Sequence, residues 1–174
     1  SAGWFKKTIT DYIVTGTNAG IIPTGADNGY NGEYGGFTKL TSSNNGTATV
    51  DGWEFNVQHL FGDSGFGFSG NYTIVNSSLE FDNFELGPQF ALEGLSDSAN
   101  VVGFFENDEW SLRLAYNWRD EFLTSRNDGA CCGQNNPMYT EEYGQWDFNA
   151  TYTLDEHLSF TFEGINLNDG INRL

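Results

Sequence analysis

The sequence predicts an all-β fold, an antiparallel up-and-down meander. Three observations point there. With 22 Gly, 15 Phe, 8 Tyr and 5 Trp against 3 Pro in 174 residues, the composition is that of strands joined by glycine-rich turns. Alternation of apolar and polar residues recurs along the chain, the pattern of a strand with one greasy face. Tight turns and long polar connections also alternate, which in a meander collects the long loops at one end.

The clearest element is 110–118. Trp110, Leu112, Leu114, Tyr116 and Trp118 alternate there with Ser111, Arg113, Ala115 and Asn117, and Arg119 follows on the polar side. Segment 49–61 sets Trp53, Phe55, Val57 and Phe61 against Glu54, Asn56 and Gln58. Segment 66–74 sets Phe66, Phe68, Tyr72 and Ile74 against Gly67, Ser69, Asn71 and Thr73. Segment 145–154 opposes Trp146, Phe148, Ala150, Tyr152 and Leu154 to Gln145, Asp147, Asn149, Thr151 and Thr153. Leu158, Phe160 and Phe162 oppose Ser159, Thr161 and Glu163 in 158–164. Segment 98–106 is apolar on both faces, and 3–14 alternates poorly, as a bulged strand does. The tight turns are 62–65, 106–108 and 155–157. The long connections are expected at 15–47, 76–97 and 120–142.

Alternation by itself fits a soluble sandwich or a lipocalin-like barrel as well as a membrane barrel. Loop asymmetry favours the last. Outer-membrane barrels have short periplasmic turns, long outer loops, a lipid-facing apolar band and a polar interior. The clean segments have about the 9–11 residues that a tilted strand needs to cross a bilayer. Trp110, Trp118, Phe61, Phe66 and Trp146 sit near strand ends, where an interfacial girdle belongs. The greasy faces are therefore expected to meet lipid and the polar faces a watery lumen.

Seven basic against 24 acidic side chains give a net charge of −17, a field that repels nucleic-acid phosphates. No run approaches a membrane helix and no leader peptide precedes SAGWFKKTIT, so a mature chain, or a piece of one, is expected. The adjacent Cys131 and Cys132 suit neither a zinc nor a thioredoxin motif. Reduced thiols without a catalytic role are expected ahead of a vicinal disulfide or of pairing of one with a part of the protein outside this sequence.

No catalytic or cofactor constellation is legible. His59 shares parity with Trp53 and Phe55, His157 lies in a turn, and no nucleophile elbow occurs. Glu54, Asp147 and Glu163 are explained more simply as lumen polarity than as a glycosidase pair. Segment 27–38 matches a calcium loop only at Asp27, Asn31 and Gly32, with Gly29 and Thr38 where ligands are needed. The candidate contacts with ligand or with a neighbouring domain are the lumen-face residues Glu54, Asn56, Gln58, Asn71, Arg113, Asn117, Arg119, Asp147, Asn149 and Glu163. The loop aromatics Tyr30, Tyr34, Phe37, Phe81, Phe84 and Tyr139, with Phe90 and Tyr143, lie among amides and carboxylates that suit sugar rings.

Several phrases, in their serial order, resemble the C-terminal half of the barrel of TonB-dependent outer-membrane receptors. They are ATVDGWEFNVQHLF, GFGFSGNYTIVNS, LEGLSDSANVVGFFEN (Glu93 standing where proline is usual), LRLAYNWRDEFL and YGQWDFNATYTLDEHLSFTFEGINLND. The likeness covers most of 46–169 and is closest to the oligosaccharide-type branch of Caulobacter, Alteromonas and Xanthomonas relatives. It implies that residues 1–174 are about seven strands of a 22-stranded barrel. A plug domain, its TonB-engaging segment and a final strand would then be absent from this sequence. It further implies TonB, the remaining barrel, the plug and outer-membrane lipid as partners, and a small ligand, with oligosaccharide the expected class, at the outer loops. An acidic chain favours a neutral sugar over an anionic ferric chelate.

Overall fold

A computed structural model describes residues 1–84, 91–126 and 136–174, without the side chains of 14–18 and 45. Cys131, Cys132 and Phe90 lie outside the described residues, so the cysteine readings have no structural counterpart. Among the described residues every regular element is a strand: β1 (Ala2–Ile21), β2 (Thr38–Leu60), β3 (Phe66–Ser77), β4 (Ser98–Glu106), β5 (Trp110–Arg119), β6 (Phe122–Ser125), β7 (Met138–Thr140), β8 (Tyr143–Asp155) and β9 (Leu158–Gly164). Seven form one antiparallel sheet in the order β1-β2-β3-β4-β5-β8-β9, and β6 and β7 form a separate hairpin. The sheet is an open meander, with β1 and β9 as its edges.

The register joins the greasy faces into one surface. Trp53 faces Ile74, Tyr72 faces Ala99, Gly103 faces Leu114, Tyr116 faces Trp146, and Ala150 faces Phe162. Aromatics line both margins of this band. Phe66 and Phe105 (centroids 4.5 Å apart) and Trp110 and Tyr152 (4.6 Å) mark the tight-turn end. Tyr72 with Trp118 (6.5 Å) and Tyr116 with Trp146 (4.7 Å) mark the loop end. Trp110 to Trp118 spans about 27 Å of strand, or roughly 20 Å of membrane at the tilt of an outer-membrane barrel.

No second layer covers this face among the described residues. Trp53, Val101, Leu114 and Phe162 remain exposed, and the buried hydrophobic residues are mostly small, such as Ala48, Ala91, Val102 and Ala150. A soluble sandwich would bury its apolar face against a partner sheet; here that face is left for lipid.

Two boundaries differ from the sequence expectation. The first connection is residues 22–37 rather than 15–47, because β1 and β2 run on as a ribbon of 20 and 23 residues. On the greasy face, the pairs Trp4–Trp53 and Ala2–Phe55 give way to Lys6–Asp51, Thr8–Thr49 and Thr10–Thr47. The ribbon therefore leaves the apolar band at Lys6 and Asp51. Beyond that point threonines replace the large apolar residues on this face, while the opposite face keeps the pairs Ile9–Ala48, with Ala48 buried, and Tyr12–Gly46. The expected irregularity in β1 is a bulge at Asp11, with φ of 58° between Thr10–Thr47 and Tyr12–Gly46.

The second difference is the β6–β7 hairpin inside the third connection. It is docked onto the second connection. Gly94 N–H donates to the Leu123 carbonyl (2.9 Å), Tyr139 Oη donates to Asn83 Oδ1 (3.0 Å), and Arg126 donates to Glu93 from both backbone N (2.9 Å) and Nε (3.0 Å). These two loops form one body over the sheet's outer end.

Candidate functional site

The polar face is built by the same register, one residue out of phase. Gly52 and Gly67 are its low points, covered by the rings of Phe5 and Phe104 from directly paired positions. Around them all ten lumen-face candidates share this face. Glu54, Asn56 and Gln58 lie on β2 opposite Thr73, Asn71 and Ser69. Arg113, Asn117 and Arg119 lie on β5, Asp147 and Asn149 on β8, and Glu163 on β9.

Two rows stand out. One is a run of amides across five strands: Asn56, Asn71, Asn100, Asn117 and Gln145 are successive register partners. Asn100 donates its amide N–H to Asn117 Oδ1, and Asn117 donates in turn to Asp147 Oδ2 (3.3 Å). Tyr143 Oη donates to Gln145 Oε1 (2.6 Å), and Gln145 Nε2 donates to Asp147 Oδ1 (2.6 Å). The Asn166 backbone N–H adds a third donor to Asp147, at 2.9 Å. Asp147 is thus a hub that ties the amide row to the turn after β9. A charged acceptor satisfied by three donors holds each firmly.

The other row is Arg113, Asn149 and Glu163 on β5, β8 and β9. Together with Asn100, Asn117 and Asp147 they line a cleft of about 260 Å³. Neither Arg113 nor Glu163 makes an ion pair or side-chain hydrogen bond among the described residues. Each is left able to bind something outside this chain. Arg119 is different. Its guanidinium carbon sits 4.3 Å from the Phe122 ring centroid, and its Nε is buried without a partner among the described residues. It joins the wall to the β6–β7 hairpin rather than lining the cleft.

Asn100 and Gln145 were not among the candidates. Parity was enough to place Gln145 on this face. Asn100 lies in a strand apolar on both faces, where its being the lone amide was the only signal.

The loop aromatics divide into two groups. Tyr30, Tyr34 and Phe37 share loop 22–37 and meet edge to face, with centroids 6.1 and 6.3 Å apart. Phe81, Phe84 and Tyr139 belong to the docked loops, where Tyr139 is tethered through Asn83 and Phe84 is 94% exposed. Loop 22–37 folds about an amide. Asn28 Nδ2 donates to the carbonyls of Pro23 (3.1 Å) and Glu33 (2.7 Å), and its Oδ1 accepts from the N–H groups of Tyr30 (2.9 Å) and Gly32 (3.0 Å). The segment compared with a calcium loop is thus organised by Asn28, and no metal-ligating cluster occurs among the described residues.

Outside the membrane band, the Glu93 carboxyl is held below the usual glutamate range. The Arg126 backbone N–H is the leading cause; burial opposes it, and the Arg126 guanidinium adds a further lowering by hydrogen bond and charge.

The chain matches the family model described as "TonB dependent receptor-like, beta-barrel" over residues 1–167. Among solved structures it is similar to the siderophore receptor PirA from Acinetobacter baumannii, with a TM-score of 0.60 and 19% identity, covering 97% of this chain and 25% of that one. It is also similar to a mutant of the ferric enterobactin receptor PfeA from Pseudomonas aeruginosa, with a TM-score of 0.58 and 19% identity, covering 96% and 23%. This chain spans about a quarter of the length of either. No curated protein matches.

Proposed function

The chain belongs to the TonB-dependent receptor β-barrel family, a family of the outer membrane, and from that premise we propose that it is one section of the wall of an active uptake receptor. The rest of the receptor supplies the remaining strands, the plug and the segment that engages TonB. The observation that carries this reading is the open, two-faced sheet. Its apolar band suits lipid, its amide-lined face suits a hydrated lumen, and its edge strands β1 and β9 are open to further pairing. An unpaired edge in hydrocarbon costs several kcal/mol per backbone group, so neighbouring strands must cover it.

The ligand we favour is a neutral oligosaccharide. Support comes from the amide row, from exposed acids such as Asp27, Glu33, Asp82 and Glu141 in the outer loops, and from the net charge of −17. Ferric siderophore is the second reading, supported by the names of the two similar receptors. The lumen-face residues Glu54, Asn56, Gln58, Asn71, Arg113, Asn149 and Glu163 then contact plug or ligand.

The test is uptake of labelled maltoheptaose, xylohexaose and ferric enterobactin by cells producing the whole receptor, with and without a protonophore. Protonophore-sensitive uptake of an oligosaccharide alone is expected. Sensitive uptake of the ferric chelate alone selects the second reading, and uptake indifferent to the proton gradient defeats active transport.

A further inference from the structure

We propose that the tip of the β1–β2 ribbon is a capture site for a sugar ring, an inference that deepens the oligosaccharide reading and rests on it. The ribbon carries this tip far from the wall. From Lys6, where the greasy face turns polar, to Ile21 is about 45 Å of strand, and β3 stops pairing with β2 at Val50.

The tip is preorganised. Besides the four bonds of Asn28, the Ile22 N–H donates to the Phe37 carbonyl (2.9 Å) and the Gly36 N–H to the Ile22 carbonyl (2.8 Å), closing the loop's base. Within this frame Tyr34 is held at a φ of 57°, in the left-handed region that a bulky side chain avoids. The strain does not bury the ring. Tyr30, Tyr34 and Phe37 are 41%, 57% and 66% exposed. Backbone strain that presents an exposed ring, held by hydrogen bonds from elsewhere in the loop, is the mark of a binding element rather than of packing.

The chemistry selects the ligand. Three adjoining rings set edge to face leave exposed apolar ring surface, and Asp27, Asn31 and Glu33 beside them are exposed hydrogen-bonding groups. A pyranose, apolar on one face and hydroxylated at its edge, matches both. No Lys or Arg lies between Ile22 and Phe37, which disfavours an anionic chelate. Rings this exposed do not enclose and desolvate a compact ammonium ion as an aromatic cage does.

The backbone itself supplies a clean variant. Tyr34→Gly removes the ring at a φ that glycine adopts without strain, and an unchanged unfolding temperature separates loss of the ring from damage to the loop. Binding of maltoheptaose and xylohexaose to the whole receptor in lipid nanodiscs is measured by calorimetry, with ferric enterobactin and tetramethylammonium as the contrasting probes. Tyr34→Gly and Phe37→Ala are each expected to weaken oligosaccharide binding about tenfold, the loss of one aromatic contact, with the unfolding temperature unchanged for Tyr34→Gly. Parental affinity in both variants overturns the capture site and leaves the uptake reading standing. Absence of oligosaccharide binding by the parent overturns both the capture site and the oligosaccharide reading. Tyr34-dependent binding of tetramethylammonium or ferric enterobactin instead assigns the tip to another ligand and overturns the proposal.

Discussion

Gly52 and Gly103 lie in neighbouring regions of the same sheet, yet the same substitution at each is expected to act in opposite directions. A methyl group at Gly52 would meet the Ile74 carbonyl oxygen at 2.0 Å and the Phe5 ring at 2.7 and 2.9 Å. The oxygen belongs to the backbone of β3 and has no rotamer with which to yield. Gly52→Ala must therefore move β2 from β3 by more than an ångström and also displace the Phe5 ring. Overpacking of this kind costs about 1–3 kcal/mol, and the obstruction here is at the upper end. At Gly103 a methyl meets nothing within 4 Å, and its φ is not in the left-handed region. Gly103→Ala then gains the roughly 0.5 kcal/mol by which alanine exceeds glycine in a strand. The two variants should differ by about 3 kcal/mol in unfolding free energy. Urea titration of the whole receptor in phospholipid vesicles, followed by tryptophan fluorescence, measures this. The double variant Phe5→Ala/Gly52→Ala should recover part of the loss but not all, because the Ile74 carbonyl remains. Equal shifts at Gly52 and Gly103 would refute the register and the aromatic cover together.

Leu114→Arg places a cation on the lipid face and should destabilise the receptor by about 2–4 kcal/mol at mid-depth, whereas Ala115→Arg, opposite Asp147, should be tolerated; equal losses by the same titration would mean that the faces are reversed. Asp147→Ala removes the acceptor for Asn117, Gln145 and the Asn166 backbone, and should lower the stability read by the same titration. It should also speed amide exchange at Asn166, and unchanged exchange there would deny the hub. The Glu93–Arg126 contact should be pH-dependent. Because the folded carboxyl has the lower pKa, its contribution is present above the usual glutamate range and is lost as pH falls through the lowered folded value. Protease cleavage within 91–126 should rise only in that acidic window, and Glu93→Gln should remove the dependence; a midpoint near neutrality would exclude Glu93.

The alternation at Trp110–Trp118 and in β2, β3, β8 and β9 was enough to mark the strands and the two faces, because side-chain direction along a strand is a local property with a period of two. The same parity placed all ten lumen candidates on one face. Tight turns were equally legible, since Asx-type contacts such as Asp155 Oδ1 accepting the His157 and Leu158 N–H groups are local as well.

Only the tertiary structure decided what depends on pairing between distant residues. Alternation could not fix the lengths of β1 and β2, because beyond Lys6 and Asp51 threonines replace the large apolar residues on one face while the backbone pairing persists. It could not find β6 and β7, three or four residues each, which exist by docking on Gly94 and Glu93 from another loop. Nor could it show that Asn100 belongs with Asn117, that Asp147 is a hub while Arg113 and Glu163 are unpaired among the described residues, or that Tyr34 is strained. The sequence by itself determined which side of each strand is polar. Register, set by hydrogen bonds between segments far apart in the chain, decided which polar residues meet.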